Sequence, residues 1–214
     1  MKGERDLAAT QLLMSHLCHE LVSPIGAVSN GIEMLEDFGS DELVPEAVAL
    51  IRESGKAAAA KLRFYRLAYG RAGQAADLGL AQCAAAAGEL FAADGRVSLE
   101  WPGAGQAGLV PGGPQLLLNL IVLAAGALPR GGQVAVTVGE HAGRAIARLT
   151  AGGLGAKLSD SVQAVLRGRD EPLDHSNIHA WYCERLAQRL ATEVAIIAGP
   201  DEVRLEVVIE RLMD

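Results

Sequence analysis

From Met14 onward the chain places apolar or small residues at alternating steps of three and four: Met14, Leu17, Leu21, Pro24, Val28, Gly31, Leu35 and Phe38. After a break at Gly39-Ser40, a second series runs Val44, Val48, Ile51, Gly55, Ala58, Leu62, Tyr65 and Tyr69. A spacing that averages about 3.5 residues is the seam of a helical hairpin or bundle, so residues 1–72 are expected to form two helices. Asp41 is placed to cap the second helix, whose first turn tolerates Pro45. Gly55 and Ala57, Ala58, Ala59 and Ala60 predict close approach of backbones. A hairpin covers only one side of each helix. The economical way to bury the rest is a homodimer in which two hairpins form a four-helix bundle. The alternative is a hairpin packed on its own C-terminal half.

Beyond Gly70-Arg71-Ala72-Gly73 the period changes. Residues 78–93, 115–128, 159–166 and 178–190 read as helices. Residues 96–101 read as a short strand. Val134, Val136 and Val138 alternate with polar or small residues, a half-buried strand, and residues 144–150 supply its hairpin partner. Strands at 193–198 and 203–210 close the chain, the last turning Val203, Leu205, Val207 and Ile209 to one side. Helices interleaved with an antiparallel sheet predict an α+β layer over residues 73–214.

Composition narrows the class. Half of the 214 residues are hydrophobic and 21% are charged, as in a folded chain. Aromatics make up only 4%, so the core must be aliphatic and rich in Ala. A formal net charge of −7 repels phosphate backbones and anionic lipid, which disfavours nucleic-acid and membrane-surface binding. Arg63-Phe64-Tyr65-Arg66 and Arg71 then read as a solvated helix face. The longest apolar run, 116–128, is interrupted by Asn119 and too short to span a bilayer. The first residues lack the pattern of a signal peptide. Cys18, Cys83 and Cys183 are odd in number and far apart, so no disulfide framework is expected and a reducing cytoplasm is the expected setting.

The chemistry concentrates in Ser15-His16-Leu17-Cys18-His19-Glu20-Leu21-Val22-Ser23-Pro24-Ile25. At ~100° per residue, His19 points away from the seam and shares a stripe with His16, Ser23, Gly26, Asn30 and Glu33. These polar and small residues leave room for another protein beside the imidazole. Glu20 follows directly, near enough to hold one ring nitrogen and make the other a better nucleophile. Pro24 removes a backbone donor and frees a carbonyl near Cys18-His19, at a cost of about 3 kcal/mol in a helix interior. Such a cost points to a local requirement beyond packing. His16 and His19 with Cys18 between them could also be half of a metal site, but Cys18 lies on another face and no third ligand is evident. A solvated surface histidine is the bland alternative.

The string from His19 to Ile25, followed by Asn30-Gly31-Ile32-Glu33-Met34-Leu35, resembles the phosphoacceptor box of two-component sensor histidine kinases. The resemblance implies that His19 carries a phosphoryl group, that Glu20 serves as general base, and that Ser23 matters for dephosphorylation. Sensor kinases follow this hairpin with an ATP-binding domain of the GHKL type, and the C-terminal half has that order of elements. Its nucleotide motifs are lost. In Asn119-Leu120-Ile121-Val122-Leu123-Ala124, Leu123 replaces the family's Mg²⁺-binding Asn. In Ala151-Gly152-Gly153-Leu154-Gly155, Ala151 replaces the Asp that reads adenine. The glycine loop before the last helix becomes Asn177-Ile178-His179-Ala180-Trp181. An alkyl group cannot hold a hard cation, and side chains now stand where backbone had to approach phosphates. No Walker loop substitutes, since Leu50 stands where Gly55-Lys56 would need a glycine.

A histidine acceptor joined to a degenerate kinase domain is similar to the ChpT-type bacterial histidine phosphotransferases. That resemblance implies a homodimer in which His19 takes a phosphoryl group from the receiver domain of a hybrid kinase and passes it to response-regulator receivers. The receiver is expected to dock across His16, Ser23, Gly26 and Asn30. No cofactor of the chain's own is expected, the Mg²⁺ coming with the receiver. An autophosphorylating kinase with a divergent ATP site and a non-enzymatic docking module are the rival readings.

Overall fold

The computed structural model describes residues 2–38, 43–103 and 108–211, with the side chains of residues 2, 3, 37 and 38 left out. The side chain of the seam position Phe38, the Gly39-Ser40 break and the Asp41 cap lie outside what is described. Contacts divide the chain into two units, residues 1–63 and 64–214.

The first unit is the hairpin. Helix α1 spans Lys2–Phe38 with Pro24 inside it, and α2 spans Val44–Ala68 with Pro45 in its first turn. The first series faces inward as the periodicity predicts, Pro24 and Gly31 buried and Leu17, Leu21, Val28 and Leu35 half-buried. Met14, 56% exposed, lies off that face. On α2 the expected seam holds in part: Ile51 is half-buried and faces α1, Val44, Val48 and Leu62 are exposed, and Ala47, outside the series, is buried. Of the small stretch expected to allow close approach, Ala60 is buried and Ala57, Ala58 and Ala59 are half-buried. A Cβ on Gly55 would meet nothing within 4 Å, whereas one on Gly31 would strike Ile51.

The second unit begins in the last turn of α2, where Phe64 and Ala68 are fully buried in the C-terminal core. A 3-10 turn at Arg71–Gln74 follows, and then α3 (Leu80–Asp94), β1 (Val97–Glu100) and α4 (Gly113–Gly126). Next come β2 (Gly132–His141), β3 (Arg144–Gly152), α5 (Asp160–Leu166), α6 (Ile178–Arg189), β4 (Val194–Gly199) and β5 (Glu202–Glu210). The strand order is β1-β2-β3-β5-β4. Every neighbouring pair is antiparallel except β1 with β2, which is parallel. The sheet is therefore mixed, correcting the purely antiparallel expectation: α4 intervenes between β1 and β2 and carries the chain across.

Period-two burial sets the register. Val134, Val136, Ala145, Ala147, Leu149, Ala151, Val203, Leu205, Val207 and Ile209 are all buried, and α4 lies over β2, β3 and β5. With helices on one face, the other is more exposed and mixed in character, and there Arg148 Nε and Glu206 Oε2 pair across strands at 2.6 Å. The tight β2–β3 turn puts Ala142 (φ 50°) and Gly143 (φ 77°) in the left-handed region that a two-residue hairpin requires. Helix α4 is buried nearly all round, from Gly113 through Ile121 and again at Leu123 and Ala124. It is the centre of the core.

Candidate functional site

Helix α1 presents three faces. The inner one meets α2. A second carries exposed Leu7, Met14, Val22, Ile25 and Ile32, which share one arc of roughly 80° at ~100° per residue. The third carries His16, His19, Ser23, Gly26 and Asn30, within another arc of roughly 80°. His19, Ser23 and Asn30 are exposed, and His16 and Gly26 half-buried. His16, Ser23, Gly26 and Asn30 therefore share one stripe with His19. A Cβ on Gly26 would meet nothing within 4 Å, so the ground beside the imidazole is open.

Glu20 lies about 100° round the helix from His19, toward the inner face, and is half-buried. Its carboxylate is engaged by α2 and not by the imidazole: Lys61 Nζ donates to Glu20 Oε2 at 2.8 Å. The same ammonium donates to the Glu20 backbone carbonyl at 2.9 Å. That carbonyl is the acceptor that the amide of residue 24 would serve in a regular helix, and Pro24 has no amide hydrogen. Burial works to raise the Glu20 pKa. The hydrogen bond and charge of Lys61, with smaller help from His16 and His19, outweigh burial and hold it below the usual carboxylate value. The sequence reading anticipated the freed carbonyl but missed Lys61, whose only sequence signal is the orphan acceptor that Pro24 creates.

In the second unit the residues that the kinase resemblance singled out are packed or hydrogen-bonded within the fold. Leu123 and Ala151 are buried apolar positions. Asn119, fully buried, donates from Nδ2 to the carbonyls of Ala68 (2.7 Å) and Gln115 (2.8 Å). His179 accepts and donates in a fixed sense: its Nε2 lies 2.9 Å from the Asn119 carbonyl and its Nδ1 2.9 Å from the Tyr69 hydroxyl. A carbonyl only accepts, so Nε2 carries the proton, and in the neutral ring Nδ1 takes the hydroxyl hydrogen. Asn177 Nδ2 donates to Ser161 Oγ (2.8 Å) and the Pro172 carbonyl (2.9 Å). Gly153 is retained for close packing, since a Cβ there would come within 2.6 Å of the Gly131 carbonyl.

Comparison with known proteins places this arrangement. Residues 80–202 match the histidine phosphotransferase C-terminal domain family. Protein phosphotransferase ChpT of Brucella abortus (strain 2308) is 34% identical over 203 residues, covering 92% of this chain and 93% of that one. A solved bacterial phosphotransferase superposes with a TM-score of 0.79 at 28% identity, over 94% of this chain and 96% of that one. Such agreement along the length, hairpin included, defines the class: the chain belongs to the histidine phosphotransferase family.

Proposed function

We propose that the chain is a homodimeric relay whose His19 carries a phosphoryl group between receiver-domain aspartates. The carrying observation is the exposed imidazole of His19 on an open polar stripe, with the anchored Glu20 beside it. A ring nitrogen attacks the phosphorus of an aspartyl phosphate. The N–P bond forms as the P–O bond breaks, and the carboxylate leaves with the electron pair. Transfer to a second aspartate runs the same step in reverse. Positioning supplies most of the rate in such transfers, and the Mg²⁺ they use is expected from the receiver's acidic pocket.

The receiver docks over His16, Ser23, Gly26 and Asn30. Leu7, Met14, Val22, Ile25 and Ile32 on α1, with Val44, Val48 and Leu62 on α2, are too many exposed aliphatics for an isolated hairpin. They support pairing of two hairpins into a four-helix bundle. Leu123 and Ala151, apolar where a kinase needs a metal ligand and an adenine-reading acid, support a C-terminal unit that does not bind ATP. Three free cysteines, and the lack among the described residues of any helix long and apolar enough to cross a membrane, support a cytoplasmic setting.

The test is radiolabel transfer to wild type and His19→Ala, from ATP alone and from a phosphorylated receiver domain. Wild type takes label from the receiver only, and His19→Ala takes none. Label arriving from ATP overturns the reading of the C-terminal unit. Label on His19→Ala overturns the acceptor assignment.

A further inference from the structure

One ammonium group fixes both the backbone and the side chain of the residue next to the phosphoacceptor. Lys61 stands 41 residues from Glu20 in sequence, yet its Nζ lies 2.9 Å from the Glu20 carbonyl oxygen and 2.8 Å from Oε2. Lysine brings three donors, enough for both bonds. The carbonyl is available because of Pro24, since any other residue there would supply the amide that closes the helical ladder. The side chains of Lys61 and Glu20 are 21% and 39% exposed, so the pair is sheltered more than an ordinary surface ion pair. Pro24, itself buried, thus opens an acceptor on α1, and α2 fills it with a cation that also grips the carboxylate.

We propose that Lys61 is the positioning residue of the phosphotransfer site, holding the Glu20 carboxylate in one orientation next to His19. The inference rests on His19 being the phosphoacceptor. As the attacking nitrogen gives its lone pair to phosphorus, the ring gains positive charge, and its other nitrogen keeps its proton or passes it to an acceptor. A carboxylate already charged and already fixed meets that need without reorganising at the moment of transfer. A carboxylate released from Lys61 would swing among rotamers and remain half-buried without its counter-charge.

The experiment uses the full chain and a phosphorylated receiver in single-turnover transfer, over a range of receiver concentrations. Lys61→Met, which keeps the shape of the side chain and loses the charge, lowers the saturating rate by about tenfold or more, the scale of a displaced catalytic group. The half-saturating receiver concentration stays within about twofold, because docking is left intact. Lys61→Arg restores most of the rate. Adding Pro24→Ala to Lys61→Met gives the Glu20 carbonyl a helical donor again; it recovers thermal stability and leaves the rate low, separating the backbone role from the side-chain role. Transfer by Lys61→Met at the wild-type rate overturns the inference. So does a loss confined to the half-saturating concentration, which would make Lys61 a docking group, and so does failure of Lys61→Arg to recover rate. A wild type that takes no phosphoryl group sinks the reading of His19 instead, so the two failures are distinguishable.

Discussion

A Cβ on Gly31 of α1 would lie 2.6 Å from Cγ1 of Ile51 and 3.2 Å from the Ala47 carbonyl, both on α2. The hairpin closes there with no room for a side chain. Overpacking costs about 1–3 kcal/mol, while replacing a mid-helix glycine returns about 1 kcal/mol of propensity. Gly31→Ala is therefore destabilising on balance, by about 1 kcal/mol where Ile51 yields to another rotamer and by more where it does not. Gly26→Ala meets nothing and is neutral or stabilising, though it slows transfer if a receiver seats there. Urea denaturation of the two variants decides it. A stabilised Gly31→Ala would refute this account of the packing.

That glycine also shows what could be read from the chain and what could not. The steps of three and four located both helices. A strand was expected at each of the five places where one is found, two of them from an alternation whose residues Val134, Val136, Val203 and Leu205 are in fact buried. Periodicity names a face but not the partner that face meets. On α2 it picked out Ile51, which does meet α1, along with Val44, Val48 and Leu62, which the structure leaves exposed, and passed over the small residue Ala47 that is packed within the hairpin. The parallel β1–β2 pairing was hidden because a four-residue strand carries no mark of its direction. At the site, His19 and its stripe were legible because they are consecutive helical turns. Lys61 was not, since a contact 41 residues away leaves no local pattern.

Tyr69, His179 and Asn119 form a hydrogen-bonded chain inside the second unit. His179→Ala takes one hydrogen bond each from the Tyr69 hydroxyl and the Asn119 backbone carbonyl, which keeps its helical donor, and opens a cavity, for a loss of about 2–4 kcal/mol. Thermal unfolding measures it. In the same assay, millimolar Mg-ATP leaves the wild-type midpoint unchanged, because a ligand stabilises only a state it binds. A midpoint that rises with nucleotide would show that the C-terminal unit still binds ATP.

Cys18 is exposed and falls in the same apolar arc as Met14, Val22 and Ile25, whereas Cys83 and Cys183 are buried. Burial pushes the Cys83 thiol up to about 12 and Cys183 higher still. At pH 8 a thiol of that pKa is thiolate in roughly one molecule in ten thousand, so neither reacts in the folded protein. A homodimer formed through the arc covers Cys18. A thiol reagent then modifies Cys18 slowly in wild type at micromolar concentration and quickly in Val22→Glu, which light scattering finds monomeric. Equal rates in the two proteins would place the dimer interface elsewhere.

The last expectation follows from the depressed pKa of Glu20. The groups acting on that carboxyl are His16 and His19 on its own helix and Lys61 on α2, set against the burial that opposes ionisation. A group whose folded pKa lies below its unfolded value, here 4.5, contributes stability that is complete above 4.5 and lost as pH falls through the folded value. In wild type the contribution of Glu20 therefore disappears only below the ordinary carboxylate range. Without Lys61, burial is opposed by the two histidines alone, so the folded pKa rises and the contribution shrinks or changes sign. The difference in stability between wild type and Lys61→Met should be widest near neutral pH and narrow as pH drops below 4.5. Chemical denaturation at a series of pH values measures that gap, and a titration of the Glu20 carboxyl by carbon NMR measures its cause. A gap that stays constant from pH 7 to 3 would mean that the ammonium supports the backbone carbonyl alone and leaves the carboxylate unaffected.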